Sequence, residues 1–343
     1  MKFKHKIDKF VSTLSERISS GGVSQLEVQA EGERDIFGNM PALARKAAAE
    51  GIVLLKNNNA LPYKLDTKIS VFGRCQLDYF YVGYGSGGDV NAPYFVNVID
   101  GIKNAGGHVN EWLLEYYKDF TKNNPAPHGF WGHWPMNFEE PSLDDKMIER
   151  ASEESDVALV VIGRAAGEDR ENTLTKGSYY LTDEERTLLD NVCNHFSNVT
   201  VLLDCGNIID MQWVLDYEER LRGIIYAWQG GMESGNAIAD VLFGRVNPSG
   251  RLTDTIAVRY EDYPSAMHFG NKLFNTYVED IFVGYRYFDS FDKKVMFPFG
   301  FGLSYTMFEM KCCSINMEES KIRAEVQVTN TGNEYAGKEV VQI

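Results

Sequence analysis

Short apolar runs alternate along the middle of the chain with segments of helical periodicity. Four of the apolar runs are continuous: ISVFG at 69–73, VALVVIG at 157–163, VTVLL at 199–203 and IIYAW at 224–228. Strands that are buried on both faces of a sheet have this uninterrupted pattern. Helical spacing marks the segments between them, at 96–105, 143–153, 182–196 and 233–243. The pattern predicts an α/β fold, a mainly parallel sheet with helices on both faces.

The pattern divides the chain into three parts. Residues 1–36 predict an N-terminal helical extension, because Ile7, Phe10 and Leu14 fall at helical spacing. Residues 37–308 form the α/β part. Within residues 309–343, apolar residues at 322, 324, 326 and 328 alternate with polar ones and predict one strand, and a second strand is predicted to begin at 340–343. This part therefore predicts the start of an all-β, immunoglobulin-like sandwich. Such a sandwich needs about 100 residues, so we expect that this domain is incomplete and that the chain is a fragment.

Composition and charge exclude several classes of protein. A formal net charge of −15 argues against a nucleic-acid partner. No run approaches the roughly 18 apolar residues of a membrane helix, and no signal peptide is recognisable at the N-terminus. The five cysteines form no C-x-x-C pair, so we interpret them as reduced thiols of a cytoplasmic protein.

The loops that follow the four predicted strands are rich in glycine and polar residues. They span 74–93, 164–171, 204–207 and 229–233. In open α/β sheets, ligands bind beyond the carboxyl ends of the strands. The sequence therefore predicts a binding site at this edge of the sheet.

The second of these loops is dense in charge, with Glu168, Asp169, Arg170 and Glu171 in succession. One interpretation is a carboxylate that acts as a general acid, with Arg170 orienting it; the alternative is a solvated charged loop. Glu233 opens the last predicted helix, where the helix dipole favours a carboxylate for structural reasons alone.

Two aromatic segments have several interpretations. Residues 83–88 match G-x-G-x-x-G, a weak indication of a dinucleotide site because the first glycine does not directly follow the strand. Residues 125–135 contain His128 and His133 without an evident third metal ligand, so a sugar-binding rim or plain packing is favoured there. We therefore expect no metal and no cofactor.

Several segments, taken in order, resemble glycoside hydrolase family three. They are ARKAAAEGIVLLK at 44–56, YGSGGDVNAPY at 84–94, VVIGRAAGEDR at 160–170, WQGGMESGNAIADVLFGRVNPSGRL at 228–252, EDIFVGYRYFDSF at 279–291 and FPFGFGLSYTMF at 297–308. The tail, VTNTGNEYAGKEVVQ at 328–342, is similar to the start of that family's fibronectin type III-like domain. The resemblance implies a retaining, β-glucosidase-like enzyme that acts on a β-linked glucoside or oligosaccharide.

The resemblance also implies roles for particular residues. Glu168 takes the position of the acid/base, although Gly167-Glu168-Asp169-Arg170 is two residues shorter than the family's Gly-Glu-Gly-x-Asp-Arg, which keeps Asp169 and Glu171 as alternatives. Glu233 lies in a family motif near the same cleft and ranks second as the acid. Ser86 matches a loop residue that approaches the bound sugar. Ser86, Asp169, Arg170 and Glu233 are the predicted substrate-binding residues.

The family's nucleophile is an Asp on a separate (β/α)₈ barrel, which takes about 250 residues and is absent from this sequence. The resemblance to members of reversed domain order places that barrel after residue 343, so we expect this chain to be inactive alone. Two other hypotheses stay open: a non-catalytic carbohydrate-binding or complementing module, and a nucleotide-binding α/β domain. Oligomeric state and sugar specificity are left open.

Overall fold

The computed structural model describes residues 38–85, 88, 90, 92–129, 133–168, 171–217, 219–271 and 273–343. The predicted N-terminal extension, 1–36, lies outside these residues. The described strands are β1 Val53–Asn57, β2 Lys68–Phe72, β3 His108–Val109, β4 Val157–Arg164, β5 Val199–Cys205, β6 Leu221–Tyr226, β7 Ile256–Ala257, β8 Val295–Phe297, β9 Phe308–Glu318 and β10 Lys321–Asn330. The described helices are α1 Met40–Gly51, α2 Val98–Asn104, α3 Glu111–Asn123, α4 Asp145–Glu154, α5 Asp183–His195, α6 Ser234–Leu242 and α7 Tyr285–Ser290.

Six strands form one sheet in the order β1-β6-β5-β4-β2-β3. The pairs from β3 to β6 are parallel, and only β1 runs antiparallel, against β6. Every residue of β4 and of β5 is buried, as the continuous apolar runs predict for central strands. The predicted mainly parallel α/β sheet is therefore confirmed.

Side chains of β4 alternate between two apolar cores, one on each face of the sheet. Val160 and Ile162 belong to the core that also holds side chains of α3, α4 and α5. Leu159 and Val161 belong to the core with side chains of α2 and α6. Helices therefore cover both faces of the sheet, and the loops that follow the strands lie at its carboxyl edge.

Local sequence signals fix the helix that follows β4. Thr182 accepts a hydrogen bond from the Glu185 amide, and Glu185 Oε2 accepts one from the Thr182 amide at 2.8 Å, which together form a capping box. The same Glu185 carboxylate forms a buried ion pair with Arg164, at 2.5 Å and 2.6 Å to the two guanidinium nitrogens. This pair ties the end of β4 to the start of α5.

The C-terminal part agrees with the prediction only in part, because β10 covers the strand predicted at 322–328 but the second predicted strand is not formed. Strands β9 and β10 form a two-stranded antiparallel hairpin, and residues 340–343, predicted to begin a strand, have no regular secondary structure. Two strands cannot enclose a core, so Ile315 and Ile322 of the hairpin remain exposed. Among the described residues, none of the helices combines the length and apolar character needed to cross a membrane.

Candidate active site

Loops from three neighbouring strands line a cavity of about 600 Å³ at the carboxyl ends of the sheet. The loop after β4 contributes Gly167, Glu171 and Asn172, the loop after β5 contributes Gly206, Asn207 and Ile208, and Trp228 follows β6. Thr253, Asp254 and Phe269 complete the lining. The cavity combines carboxylates, side-chain amides and aromatic rings, which is the chemistry that hydrogen-bonds to the hydroxyls of a sugar and packs against its ring.

The loop after β2 reaches across to the same edge. The Phe80 amide donates to Asp204 Oδ2 at 2.7 Å, and the Gly231 amide donates to the Tyr81 carbonyl at 2.8 Å. The Tyr84 amide of the same loop donates to the Ala166 carbonyl, after β4, at 2.8 Å. Hydrogen bonds therefore join the loop after β2 to the three other loops that the sequence predicts to meet it.

Glu168 lies on the loop beside the cavity, and its side chain is exposed. Its amide donates to the Tyr84 carbonyl at 3.1 Å, and Gly167 forms an isolated parallel β-bridge with Tyr84. Gly167 and Glu171, on either side along the chain, both line the cavity. The structure thus brings two of the candidate carboxylates, Glu168 and Glu171, to this edge of the sheet.

Both carboxylate oxygens of Glu233 accept hydrogen bonds from protein side chains. Its carboxylate is buried, Oε1 accepts a hydrogen bond from Tyr94 Oη at 2.6 Å, and Oε2 accepts one from Asn236 Nδ2 at 2.7 Å. The neighbouring carboxylate raises the pKa of Tyr94 to about 12. These two hydrogen bonds join the loop after β2 to the start of α6, as the structural interpretation of Glu233 predicts. Its roles in substrate binding and as an acid stay predictions.

Three predicted site residues lie outside the described residues: Ser86, Asp169 and Arg170. The glycine-rich loop has a structural explanation that needs no nucleotide. Gly85 has a φ of +107° and packs directly on Glu168. Among the described residues, no cluster of three or more His, Cys, Asp or Glu side chains could hold a metal ion.

Sequence reasoning missed Trp228 and Asp254. Trp228 has a positive φ of 57°, a strained conformation for a large side chain, and its Nε1 donates to the Gly51 carbonyl at 3.1 Å. Strained residues cluster at functional sites, but the strain itself is invisible in sequence. Asp254 comes from a segment without a flanking strand signal, and only the three-dimensional structure places it at the cavity.

A second cavity, of about 340 Å³, borders the same loop after β2. Its lining is largely aromatic and includes Tyr81, Tyr84, Phe95 and Phe138. The rings of Tyr81 and Phe95 stack at 4.9 Å with 5° between their planes. Trp134, in the segment predicted to be either a sugar-binding rim or packing, is buried and stacks on Tyr84.

An α/β sheet with a polar cavity at its carboxyl ends is common to many enzymes, and comparison with known proteins narrows the class. The model of the glycosyl hydrolase family 3 C-terminal domain matches residues 52–305. The chain belongs to this family, as the resemblance of its motifs implied.

Individual relatives agree with this assignment. A β-glucosidase of Ruminococcus albus is 46% identical over 302 residues, which cover 88% of this chain and 32% of that protein. The crystal structure of a β-glucosidase from Paenibacillus barengoltzii superposes with a TM-score of 0.84 at 46% identity, over 88% of this chain and 34% of that one. β-Glucosidase 3B of Thermotoga neapolitana, solved in complex with glucose, superposes with a TM-score of 0.76 at 34% identity, over 91% of this chain and 43% of that one. The chain thus spans about a third of the length of its R. albus and P. barengoltzii relatives.

Proposed function

We propose that this chain supplies the acid/base domain of a retaining β-glucosidase, with Glu168 as the general acid and base. The observation that carries the proposal is the place of Glu168, on the loop that borders the polar cavity at the carboxyl ends of the sheet. The β-glucosidases among the relatives support hydrolysis of a β-linked glucoside or oligosaccharide.

The reaction needs two carboxyl groups about 5 to 5.5 Å apart. In the first step Glu168 protonates the oxygen of the leaving group while the second carboxylate attacks C1 and forms a glycosyl-enzyme ester. In the second step Glu168 takes a proton from water, which attacks C1 and releases the sugar and the carboxylate. We assign the nucleophile to a (β/α)₈ barrel outside this chain. Glu171, which lines the cavity, is the alternative acid.

Exposed apolar side chains support the need for that further domain. Between β7 and α7, Met267, Leu273, Tyr277 and Ile281 are 84%, 91%, 90% and 68% exposed, and Phe269 in the same segment lines the cavity. Several large apolar side chains exposed within one segment support an interaction site there. A domain that covered the segment would also close the cavity, which is where a nucleophile has to arrive.

We further propose that the α/β domain spans residues 37–308 and that residues 309–343 begin a fibronectin type III-like domain. All five cysteines are free thiols, three of them buried, which supports a cytoplasmic protein.

The test uses this chain alone and a chimera in which it replaces the matching segment of the R. albus enzyme. We expect no turnover of an aryl β-glucoside by the chain alone, and turnover by the chimera. Glu168→Gln in the chimera should lower kcat for cellobiose by about 10²- to 10⁴-fold, the usual contribution of a general acid. The control is Glu153→Gln, an exposed carboxylate on α4. Turnover by the chain alone, or equal activity of the Glu168→Gln chimera, would contradict the proposal.

The aromatic cavity favours a second candidate, a carbohydrate-binding module that acts without chemistry of its own. Aromatic rings such as Tyr81 and Phe95 stack well on sugar faces. This alternative predicts that the chain alone binds cellobiose and that binding persists in Glu168→Gln. Titration calorimetry on both proteins decides it, because a chain that binds no sugar excludes the module.

A further inference from the structure

The loop that follows β2, residues 79–85, crosses the carboxyl ends of three strands. At its start, the Phe80 amide is bonded to the Asp204 carboxyl at the end of β5. Tyr79 Oη donates to the Trp228 carbonyl at 3.3 Å, just after β6. The loop, termed here the crossing loop, is therefore anchored to the rigid sheet before it reaches the loop after β4.

The tip of the crossing loop pairs with the backbone around Glu168. The Tyr84 amide donates to the Ala166 carbonyl at 2.8 Å, and the Tyr84 carbonyl accepts from the Glu168 amide at 3.1 Å. This is the hydrogen-bond pattern of a parallel strand pair, one bridge long. Glu168 follows the end of β4 by four residues, and the pairing supplies a second attachment for its backbone.

The absence of a side chain at Gly85 allows the backbone of the crossing loop to lie close to Glu168. A Cβ atom at Gly85 would lie 2.5 Å from Glu168 Cβ and 3.0 Å from the Glu168 nitrogen, distances that a side chain cannot occupy without displacing Glu168. Across the bridge, a Cβ atom at Gly167 would lie 2.8 Å from Tyr84 Cβ. Glycine on both sides allows the two backbones to approach, so the position of Glu168 depends on the absence of these side chains.

The segment around Trp134 packs against both the crossing loop and the loop that carries Glu168. Trp134 is 5% exposed, and its ring stacks on that of Tyr84 at 5.4 Å with 4° between the planes. Two residues further on, the Met136 carbonyl accepts from the Ala165 amide at 2.8 Å. The segment around Trp134 therefore contacts both the crossing loop and the loop that carries Glu168.

The geometry points to Gly85 and the stacked pair of Tyr84 and Trp134 as positioning residues for Glu168, which set where its carboxyl group meets the leaving group. The inference rests on the proposed role of Glu168. A general acid has to lie within hydrogen-bond distance of the atom it protonates, and a displacement of about 1 Å can cost on the order of 10²-fold in rate. Poor leaving groups need the proton, whereas a dinitrophenolate departs without it.

The decisive variant is Gly85→Ala in the chimera described above. We expect kcat/KM for cellobiose to fall by about 10²-fold. For dinitrophenyl β-glucoside we expect kcat/KM to change little, because kcat/KM reports the first step, in which this leaving group needs no proton; losses for the two substrates are compared as kcat/KM throughout. The matched control is Gly106→Ala, because Gly106 also has a positive φ, of 80°, but has no atom within 4 Å of an added Cβ. It also places an alanine at a positive φ, at the opposite end of the sheet, and should affect neither substrate selectively.

A second, milder variant covers the case in which Gly85→Ala does not fold. Tyr84→Ala removes the ring that stacks on Trp134 and keeps both backbone hydrogen bonds. We expect the same selective loss, smaller than for Gly85→Ala, and in the 343-residue chain a faster hydrogen exchange of the Glu168 amide, measured by NMR.

The outcomes separate this inference from the proposed function. Equal losses for both substrates in Gly85→Ala and Tyr84→Ala would reduce these residues to a structural role and overturn the inference. A Glu168→Gln chimera that shows selective loss for cellobiose, beside crossing-loop variants that do not, leaves the proposed function intact and rejects only the positioning role. If Glu168→Gln itself lacks that selectivity, the proposed function fails first.

Discussion

The six-stranded sheet and the part of the chain after β7 both contain large apolar side chains but bury them to very different degrees. Leu159 in β4 is fully buried, whereas Leu273, in the segment between β7 and α7, is 91% exposed and Ile322 in β10 is 69% exposed. The sheet has helices on both faces, and the hairpin has neither helices nor a second sheet packed on it among the described residues. The comparison teaches that an apolar side chain becomes part of a core only where a further layer of structure packs on it.

The largest effect is expected where the sheet buries charge. Glu185→Ala leaves the Arg164 guanidinium, which is 0% exposed, without its carboxylate partner. We expect the free energy of unfolding to fall by about 3–5 kcal/mol, since an uncompensated buried charge is costly. Denaturant titration measures the change. Glu184→Ala, an exposed neighbour in the same helical turn, should stay within about 0.5 kcal/mol; similar losses in both variants would contradict this account.

The same substitution in both regions tests the comparison directly. Leu159→Ala should lower the free energy of unfolding by about 2–5 kcal/mol, because it opens a cavity in a packed core. Leu273→Ala should change it by less than about 0.5 kcal/mol. Thermal unfolding of the two variants measures both. A large loss in Leu273→Ala would mean that the segment between β7 and α7 is packed in solution.

A smaller effect concerns the pH dependence of the sheet. Burial raises the pKa of Asp204 well above its ordinary value of 3.8. The folded state therefore keeps this proton to higher pH than the unfolded state, and the stability it contributes is full below about pH 3.8 and is lost as the pH rises towards the folded pKa. Asp204→Asn should flatten this decline by up to about 1.4 kcal/mol per pH unit. Parallel pH curves for the two proteins would contradict it.

The smallest effect is one of reactivity rather than stability. Cys75, Cys193 and Cys205 are buried, whereas Cys312 and Cys313 in β9 are exposed. Burial raises the pKa of the Cys193 thiol to about 12 and that of Cys75 well above its usual range. We expect a maleimide to label two thiols in the native chain and five after denaturation, as counted by mass spectrometry. Rapid labelling of a third thiol would show that the sheet opens.

Much of the fold could be predicted from the sequence because burial on both faces leaves an uninterrupted apolar run. The capping box of Thr182 and Glu185 was also readable, since it depends on two residues three apart. Strand β1 and helix α3 were missed. In β1 the apolar run follows α1 directly, without a turn signal that would separate a strand from the helix. In α3, Leu113 and Tyr117 lie at helical spacing and do indicate a helix.

The candidate site was less predictable than the fold. Glu168 and Glu171 could be singled out because they follow a buried strand. The crossing loop could not, because its role depends on backbone contacts between Tyr84 and Glu168, which are 84 positions apart. The position of Asp254 depends in the same way on how a distant segment folds back, and periodicity carries no information about that.

Neither edge of the six-stranded sheet presents a long unpaired strand. Strand β3 is only two residues long, and the outer edge of β1 is met by Leu303, whose amide donates to the Leu54 carbonyl at 2.7 Å. Strands β9 and β10, of 11 and 10 residues, pair only with each other among the described residues. An unpaired strand edge is a template for another chain. We therefore expect edge-to-edge pairing between two copies of this chain to involve the hairpin rather than the larger sheet.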